Sequence, residues 1–375
     1  MIDPGAFFTA WRTLPVGSRE VMEGILRPEA RGPSPALAAA LAAWPGAWYW
    51  TDPARSRVTL IRPLAPTRPR WWLHATLFLL TLVCSLGAGA VLVAGWTPPG
   101  SRGGLLPALV GAGNYLVNFA TGEWRTLLVG WSFAFPLLGI LLIHELGHYL
   151  AARRYAIDAT PPYFLPVPPT LSPIGSLGAF IRLRSPVLDR RQLLDVGAAG
   201  PLAGLVAALA VLVWGYATSE RIPIVLGDDP SYVTLAGQPV FLGEALLTRT
   251  LRNWILPGTE AVHLSAPAFA GWVGVFLTGL NLLPLSQLDG GHVLYGLLGR
   301  RQAVVGLLAI GGLLYLAQRS PMWYVWVVIA LVVGGGRWGH PAVLIPERSV
   351  PPSRRWLGWL SIAAFAVTFV PYPFQ

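Results

Sequence analysis

From Trp71 to Trp96 the chain is almost wholly apolar, and the same is true of Trp124–Ala152, Leu193–Ala217 and Ala266–Leu285. As a helix, each is of the length that crosses about 30 Å of hydrocarbon. Three later stretches, Gln302–Ala317, Met322–Gly334 and Trp356–Val370, are apolar but shorter, as in tilted or paired helices. Residues 1–66 have another texture. There GSREVMEGIL and PALAAALAAWPG read as short helices between Arg/Pro-rich turns, and SRVTLIRP reads as a strand. LLPALVGAGNYLVNF has the character of an interfacial helix, and FLGEALLTRTLRNWIL that of an amphipathic one. LGAFIRLR alternates as a strand does, with Ala179, Ile181 and Leu183 on one face and Phe180, Arg182 and Arg184 on the other. The predicted architecture is an all-α polytopic membrane protein. It has six to seven transmembrane helices, a small β-hairpin or re-entrant element, and a small N-terminal α+β domain. The expected division is 1–66 and 67–375, with a core at 125–300.

Composition supports the membrane assignment. Hydrophobic residues make up 54% and charged residues 12%, against roughly 25% charged in soluble chains. The formal net charge is +10, and every basic residue apart from histidine is arginine. These arginines are spread over loops and form no single basic face, which argues against nucleic-acid binding. Their distribution is topological. Arg55, Arg57, Arg62, Arg68 and Arg70 precede the first span, and Arg153, Arg154, Arg182, Arg184, Arg190 and Arg191 follow the second. Only Arg102 and Arg125 lie between those spans. The positive-inside rule then sets the N-terminus in the cytoplasm, with the HELGH and DGGH segments on that side. The single cysteine, Cys84, excludes a disulfide framework within one chain. MIDPGAFFTAWRTLP lacks the regions of a signal peptide. The absence of lysine with abundant Ala, Gly and Pro fits a GC-rich prokaryotic genome, so a prokaryotic cell membrane is expected.

Against this background LIHELGHYL at 142–150 stands out. His144 and His148 are four apart and so share one helix face. Glu145 lies beside them, in the H-E-x-x-H arrangement of zinc metalloproteases. In that chemistry zinc acidifies its water, and the glutamate takes the proton and passes it to the leaving amine. An acidic residue at membrane depth costs about 2.5–3.5 kcal/mol, whereas a zinc site returns roughly 10–16 kcal/mol. Catalytic zinc needs a third ligand. NLLPLSQLDGGH at 281–292 offers Asp289 at the end of the fourth span, where Asp289-Gly290-Gly291 would break the helix. The alternative is that DGG is only a helix end followed by a turn. His292 is expected to support the site without binding metal, and His74 to be an interfacial side chain.

LIHELGHYLAARR together with NLLPLSQLDGGH resembles the site-2 protease family of intramembrane zinc metalloproteases. ATPPYFLPVPP, LGAFIRLRSP and GAAGPLAG resemble its branch without a PDZ domain, similar to plant EGY-type proteins and prokaryotic relatives. The resemblance covers about residues 130–300. It implies one Zn2+ per chain, with His144, His148 and Asp289 as ligands and Glu145 as general base. Asn281, at the family's Asn-x-x-Pro position, is a candidate donor to the oxyanion. Some relatives carry Asn after the Gly-Pro of the third core span. Here that position is Gly204, so no catalytic role carries over, and Gly197, Gly200 and Gly204 are expected to permit close helix packing. The strand Gly178-Ala179-Phe180-Ile181-Arg182 is the candidate substrate platform, by strand addition. Asp195 is expected to be a helix-start residue, the alternative being a partner that supports a metal ligand from behind. The connection 218–265 is too short for a PDZ domain of roughly 80–100 residues. The expected function is hydrolysis of peptide bonds in or near transmembrane helices of membrane-anchored substrates. The alternatives are a catalytically inactive scaffold that binds membrane helices and, less favoured, a metal transporter. The lipid bilayer is an expected partner and nucleic acid is not.

Overall fold

The computed structural model describes residues 3–16, 19–31, 34–52, 54–63, 69–95, 124–222, 231–258, 261–337, 339–341 and 345–374. It also describes single positions 107, 110, 111, 114, 115, 117, 119, 122 and 343. The interfacial helix expected over 105–119 lies largely outside these residues. The chain forms two compact units. One comprises Met1–Pro69, Ala152–Thr160 and Arg182–Val187, and the other Arg70–Ala151, Pro161–Ile181 and Leu188–Gln375.

The first unit is built on an antiparallel sheet of order β1-β2-β4-β3. Its strands are β1 (Phe8–Val16), β2 (Arg19–Leu26), β3 (Ala47–Trp50) and β4 (Arg57–Pro63). A single turn, α1 (Pro4–Phe7), precedes it, and α2 (Pro35–Ala42) begins at Ser34, whose hydroxyl accepts from the Leu37 amide at 3.3 Å. Phe8, Leu26, Val58 and Leu60 of the sheet pack with Leu37, Leu41 and Trp44 into one core. The expected helix over GSREVMEGIL is instead β2. Its residues pair with β1 on one side and β4 on the other, for example Val21 with both Leu14 and Ile61. Two ladders outweigh the modest helix propensity of the segment.

The second unit carries four long apolar helices among the described residues. They are α3 (Trp71–Ala94), α5 (Trp131–Arg154), α6 (Arg190–Ala217) and a continuous stretch over Asp289–Ala317. The last of these is α9 (Asp289–Leu298), one 3-10 turn and α10 (Gln302–Ala317). Further helices are α4 (Trp124–Leu128), α7 (Leu246–Ile255), α8 (Ala266–Asn281), α11 (Met322–Val333) and α12 (Pro352–Thr368). Val206, Leu308 and Val332 are at least 70% exposed, the surface a lipid-facing helix presents. The chain is thus a polytopic α-helical membrane protein with an N-terminal β-sheet domain.

Three sequence expectations need correction here. The second span is not continuous from Trp124. The chain turns at Val129-Gly130, because Gly130 sits against the backbone of Leu86, Gly89 and Ala90, where a Cβ would be 2.1 Å from the Leu86 carbonyl. The fourth span does not run to Leu285. Helix α8 ends at Asn281, and every residue in it but Leu277 and Asn281 is buried, so it is a central core helix. It packs on α6 through Gly215, Gly271 and Gly274. Finally, Asp195 does not start α6. Asp189 is the N-cap, accepting from the Gln192 amide at 2.9 Å, and Asp195 sits inside the helix, 3.7 Å from an Arg354 guanidinium nitrogen.

Two small sheets complete the unit. β5 (Tyr163–Pro166) and β6 (Ser176–Phe180) pair antiparallel, Tyr163 opposite Phe180 and Phe164 opposite Ala179. The connection after α6, which showed no strands in its sequence pattern, holds a sheet of order β7-β10-β8-β9. Its strands are β7 (Glu220–Ile222), β8 (Ser231–Leu235), β9 (Gln238–Phe241) and β10 (Ala261–His263). Beside it the buried Glu244 carboxylate receives Arg252 through two bonds of 2.6 and 3.1 Å and the Ser231 hydroxyl at 3.0 Å.

Candidate metal centre

His144 and His148 project from the same face of α5, both 7% exposed. The His148 Nδ1–H donates to the Val196 carbonyl of α6 at 2.8 Å. That bond fixes the ring and leaves the Nε2 lone pair for a metal, the usual outer-shell arrangement of a ligating histidine. His148 Nε2 lies 3.1 Å from His144 Nε2 and 3.3 Å from Asp289 Oδ2, and His144 Nε2 lies 3.4 Å from the same oxygen. Lone pairs this close repel unless a cation sits among them. A tetrahedral zinc with bonds of about 2.0–2.1 Å requires ligand–ligand edges of about 3.3–3.4 Å. The three edges of 3.1, 3.3 and 3.4 Å come close to one face of that tetrahedron, which would leave the fourth corner for water or substrate. Among the described residues these three form the one cluster of His, Cys, Asp and Glu side chains able to hold an ion.

Asp289 arrives differently from the sequence expectation. DGG does not break a helix; Asp289 opens α9, with Leu288 as its N-cap. The carboxylate therefore stands in the first helical turn, where the dipole favours negative charge. The two glycines let this helix start nest against the preceding turn. A Cβ on Gly290 would be 2.0 Å from the Leu282 carbonyl, and one on Gly291 would be 2.3 Å from that of Ser286. Ser286 itself is left-handed, with φ 36°, a conformation that costs a non-glycine residue about 1–2 kcal/mol. Tight backbone packing around the site sustains it.

Helix α6 presses on the site with a row of glycines. A Cβ on Gly200 would fall 2.1 Å from His148 Nε2, one on Gly204 3.0 Å from His144 Nδ1, and one on Gly197 2.7 Å from the His292 Cβ. Gly147, between the two histidines, meets the Ala199 carbonyl in the same close approach.

Glu145 is 5% exposed, and its Oε1 is 4.0 Å from His144 Nε2, outside the ligand triangle but next to it. The Ile181 backbone N–H lies close enough to favour its charged carboxylate electrostatically. Asn281, the last residue of α8, brings its Nδ2 to 3.3 Å from His144 Nε2. The strand Gly178–Arg182 divides by edge. Arg182 accepts from the Thr160 amide at 3.0 Å and donates its own N–H to the Thr160 hydroxyl at 3.0 Å. Its backbone is therefore committed. Alternate residues of an extended chain turn their groups to opposite edges, so Ala179 and Ile181 face the other edge, where Ile181 meets Glu145.

The structure gives partners to His74 and His292. His74 is 5% exposed, pairs its Nδ1 with the Pro162 carbonyl at 3.1 Å and stacks on Tyr163 at 4.1 Å. His292 stays out of the ligand triangle, its ring against that of His340 at 4.9 Å. The Val196 carbonyl and the Ile181 amide had no signal in the sequence, because every residue offers such groups.

Residues 132–316 match the profile of Peptidase family M50. The chain is 30% identical over 238 residues to "Probable zinc metalloprotease EGY2, chloroplastic" of Oryza sativa subsp. indica, covering 63% of this chain and 41% of that protein. It is 33% identical over 211 residues to "Probable zinc metalloprotease EGY1, chloroplastic" of Arabidopsis thaliana, covering 50% and 36%. No solved structure matches. Residues 132–316 thus carry the match to the site-2 protease (M50 peptidase) family, and the chain is related to the plant EGY-type zinc metalloproteases. It spans about two-fifths of the length of these curated relatives.

Proposed function

We propose that this protein is an intramembrane zinc endopeptidase that cuts membrane-anchored proteins in or near a transmembrane helix. The observation that carries the reading is the triangle of His144, His148 and Asp289 with Glu145 beside it, inside a bundle of apolar helices. When bound, zinc would acidify a water and polarise the scissile carbonyl. The chain's own groups supply the rest. Glu145 stands near enough to take the water's proton and return it to the leaving amine nitrogen, with the Ile181 N–H beside its carboxylate. The Asn281 amide is positioned to donate to the oxyanion that develops on the scissile carbonyl. A helical peptide bond is shielded by its own hydrogen bonds, so the substrate must be unwound. The outer edge of β6 at Ala179, continued by the Ile181 carbonyl, offers backbone groups to an extended peptide, flanked by Gly178 and the exposed Phe180. Arg182 contributes its exposed side chain rather than its backbone.

The same reading assigns six to seven membrane spans, with α8, α11 and α12 supplementing the four long helices. The β5–β6 pair is the hairpin that enters the membrane layer beside the site. The domain division falls near residue 66. The N-terminus and the mouth of the site face the cytoplasm of a prokaryotic cell, in keeping with the arginine distribution. Water reaches the site from that side, and the product is a membrane-tethered factor or remnant released by regulated intramembrane proteolysis.

The test is direct. Full-length protein, purified in detergent with bound zinc, is incubated with a panel of single-span helices, and the products are identified by mass spectrometry. Cleavage that a chelator stops and added zinc restores is expected. Zinc flux into liposomes without cleavage of any helix would contradict the reading.

A further inference from the structure

The N-terminal sheet holds a buried cation with an unusual partner. Arg19, the first residue of β2, is 4% exposed, and its guanidinium donates to the Ala156 carbonyl at 3.2 Å. Burial pulls this guanidinium below the ordinary arginine range. A buried charge needs compensation, and the partner found here is a neutral carbonyl at the C-terminus of α5, the helix that carries His144, Glu145 and His148. The negative end of the helix dipole supplies the complementary charge.

The carbonyl belongs to a particular residue. The Ile157 N–H reaches back to the Ala152 carbonyl at 3.0 Å, and the Ala156 N–H to that of Arg153 at 3.0 Å. These are the two bonds of a Schellman cap, and the residues at the positions of its customary apolar pair, Ile157 and Ala152, are 1% and 0% exposed. The motif places Ala156 in the left-handed region, with φ 51°. Glycine normally takes that position because a Cβ is strained there. An alanine persists only where its surroundings over-determine the conformation, and Arg19 grips the carbonyl of that very residue.

The cap directs the chain into Asp158–Thr160, which pairs with Arg182–Arg184 through the Thr160–Arg182 and Arg184–Asp158 bonds of 3.0 and 2.8 Å. The Asp158 amide also donates to the Ser185 hydroxyl at 2.8 Å. Both segments belong to the compact unit of the N-terminal sheet. One continues directly from α5, and the other directly from Ile181, whose N–H lies beside the Glu145 carboxylate.

We propose that Arg19 is a positioning residue for the hydrolysis: by clamping the strained Ala156 cap, the N-terminal sheet fixes the end of the zinc-bearing helix and the strand that orients Glu145. The proposal rests on the protease reading for its catalytic consequence and on the cap alone for its structural one. It gives residues 1–69 a role in catalysis.

The experiment compares the full-length wild type, Arg19→Ala, Arg19→Lys, Ala156→Gly and the double variant Arg19→Ala/Ala156→Gly. Zinc content, kcat and KM on a cleaved helix, and amide hydrogen exchange over 152–160 are measured. Misplacement by about 1 Å costs up to about a hundredfold in rate. Arg19→Ala is accordingly expected to lower kcat at least about tenfold with zinc content and KM little changed, and to speed exchange at Ala156 and Ile157. Arg19→Lys should fall between. Glycine accepts the left-handed cap without strain, so the double variant should regain much of the lost kcat and exchange protection. Unaltered kcat and exchange in Arg19→Ala would overturn the proposal. So would failure of Ala156→Gly to restore either one, including the case in which Arg19→Ala does not fold. If the wild type cleaves nothing, the protease reading fails while the exchange comparison still decides the clamp.

Discussion

At residue scale the centre depends on what is missing from α6 as much as on what α5 supplies. The Gly200 Cα lies so close to the His148 ring that a methyl group there would occupy the space of Nε2, 2.1 Å away. Gly200→Ala should therefore cost zinc stoichiometry, with full-length protein retaining well under half an equivalent. Gly139→Ala, on the same helix as the histidines but with no atom within 4 Å of the added Cβ, should keep its zinc. Metal analysis of the two purified variants checks this, and equal zinc in both would contradict the packing described. His144, Glu145 and His148 were legible in the sequence because their spacing lies within one helix turn. Asp289 was a candidate from its place at the end of an apolar run, and the resemblance to a known motif favoured it over a helix end followed by a turn. The Val196 carbonyl and the His74–Pro162 contact were not legible, because long-range pairing of backbone groups leaves no mark on residue type.

At element scale the apolar runs located most helices but not their roles. Ala266–Asn281 has the apolarity of a span, yet it is nearly all buried, and apolarity alone does not separate a core helix from a lipid-facing one. The glycines after Asp289 read as a helix end and are instead a helix start, because what they relieve is contact with a turn several residues back. β2 was misread because its ladders join it to strands on both sides, information no local window holds. The sheet between α6 and α8 also escaped, and its anchor is testable. Glu244 is 1% exposed in its side chain and accepts from the Nε and Nη2 of Arg252. Arg252→Ala leaves the buried carboxylate with the exposed Arg249 at 3.5 Å and the Ser231 hydroxyl at 3.0 Å, so the substitution should destabilise the protein by about 1–3 kcal/mol. Denaturant unfolding in detergent measures it, and a loss below about 1 kcal/mol would show that water reaches the pair.

At the scale of the whole molecule, stability and activity can be separated. His340 lies outside the membrane helices with its ring between His292 and Tyr295. Burial depresses its pKa to about 4, against an opposing contribution from the Pro341 carbonyl. Its neutral form is the one the fold favours. The unfolded chain, with an imidazole near 6.5, takes up the proton first as pH falls. This contribution to stability is thus intact above about pH 6.5 and is lost progressively down to about pH 4. His340→Phe should flatten the fall in melting temperature between those limits. Parallel curves for variant and wild type would remove His340 from the account.

The central claim is that the chain hydrolyses peptide bonds through Glu145 acting beside a zinc held by His144, His148 and Asp289. Glu145 lies outside the ligand triangle, so Glu145→Gln removes the base without removing a ligand. The decisive measurement is mass spectrometry of a single-span helix after incubation with wild type and Glu145→Gln, each loaded to one zinc per chain. Cleavage by the wild type, with a loss of at least about a hundredfold in the variant, is the expected result. Equal cleavage by the two proteins at equal zinc would contradict it.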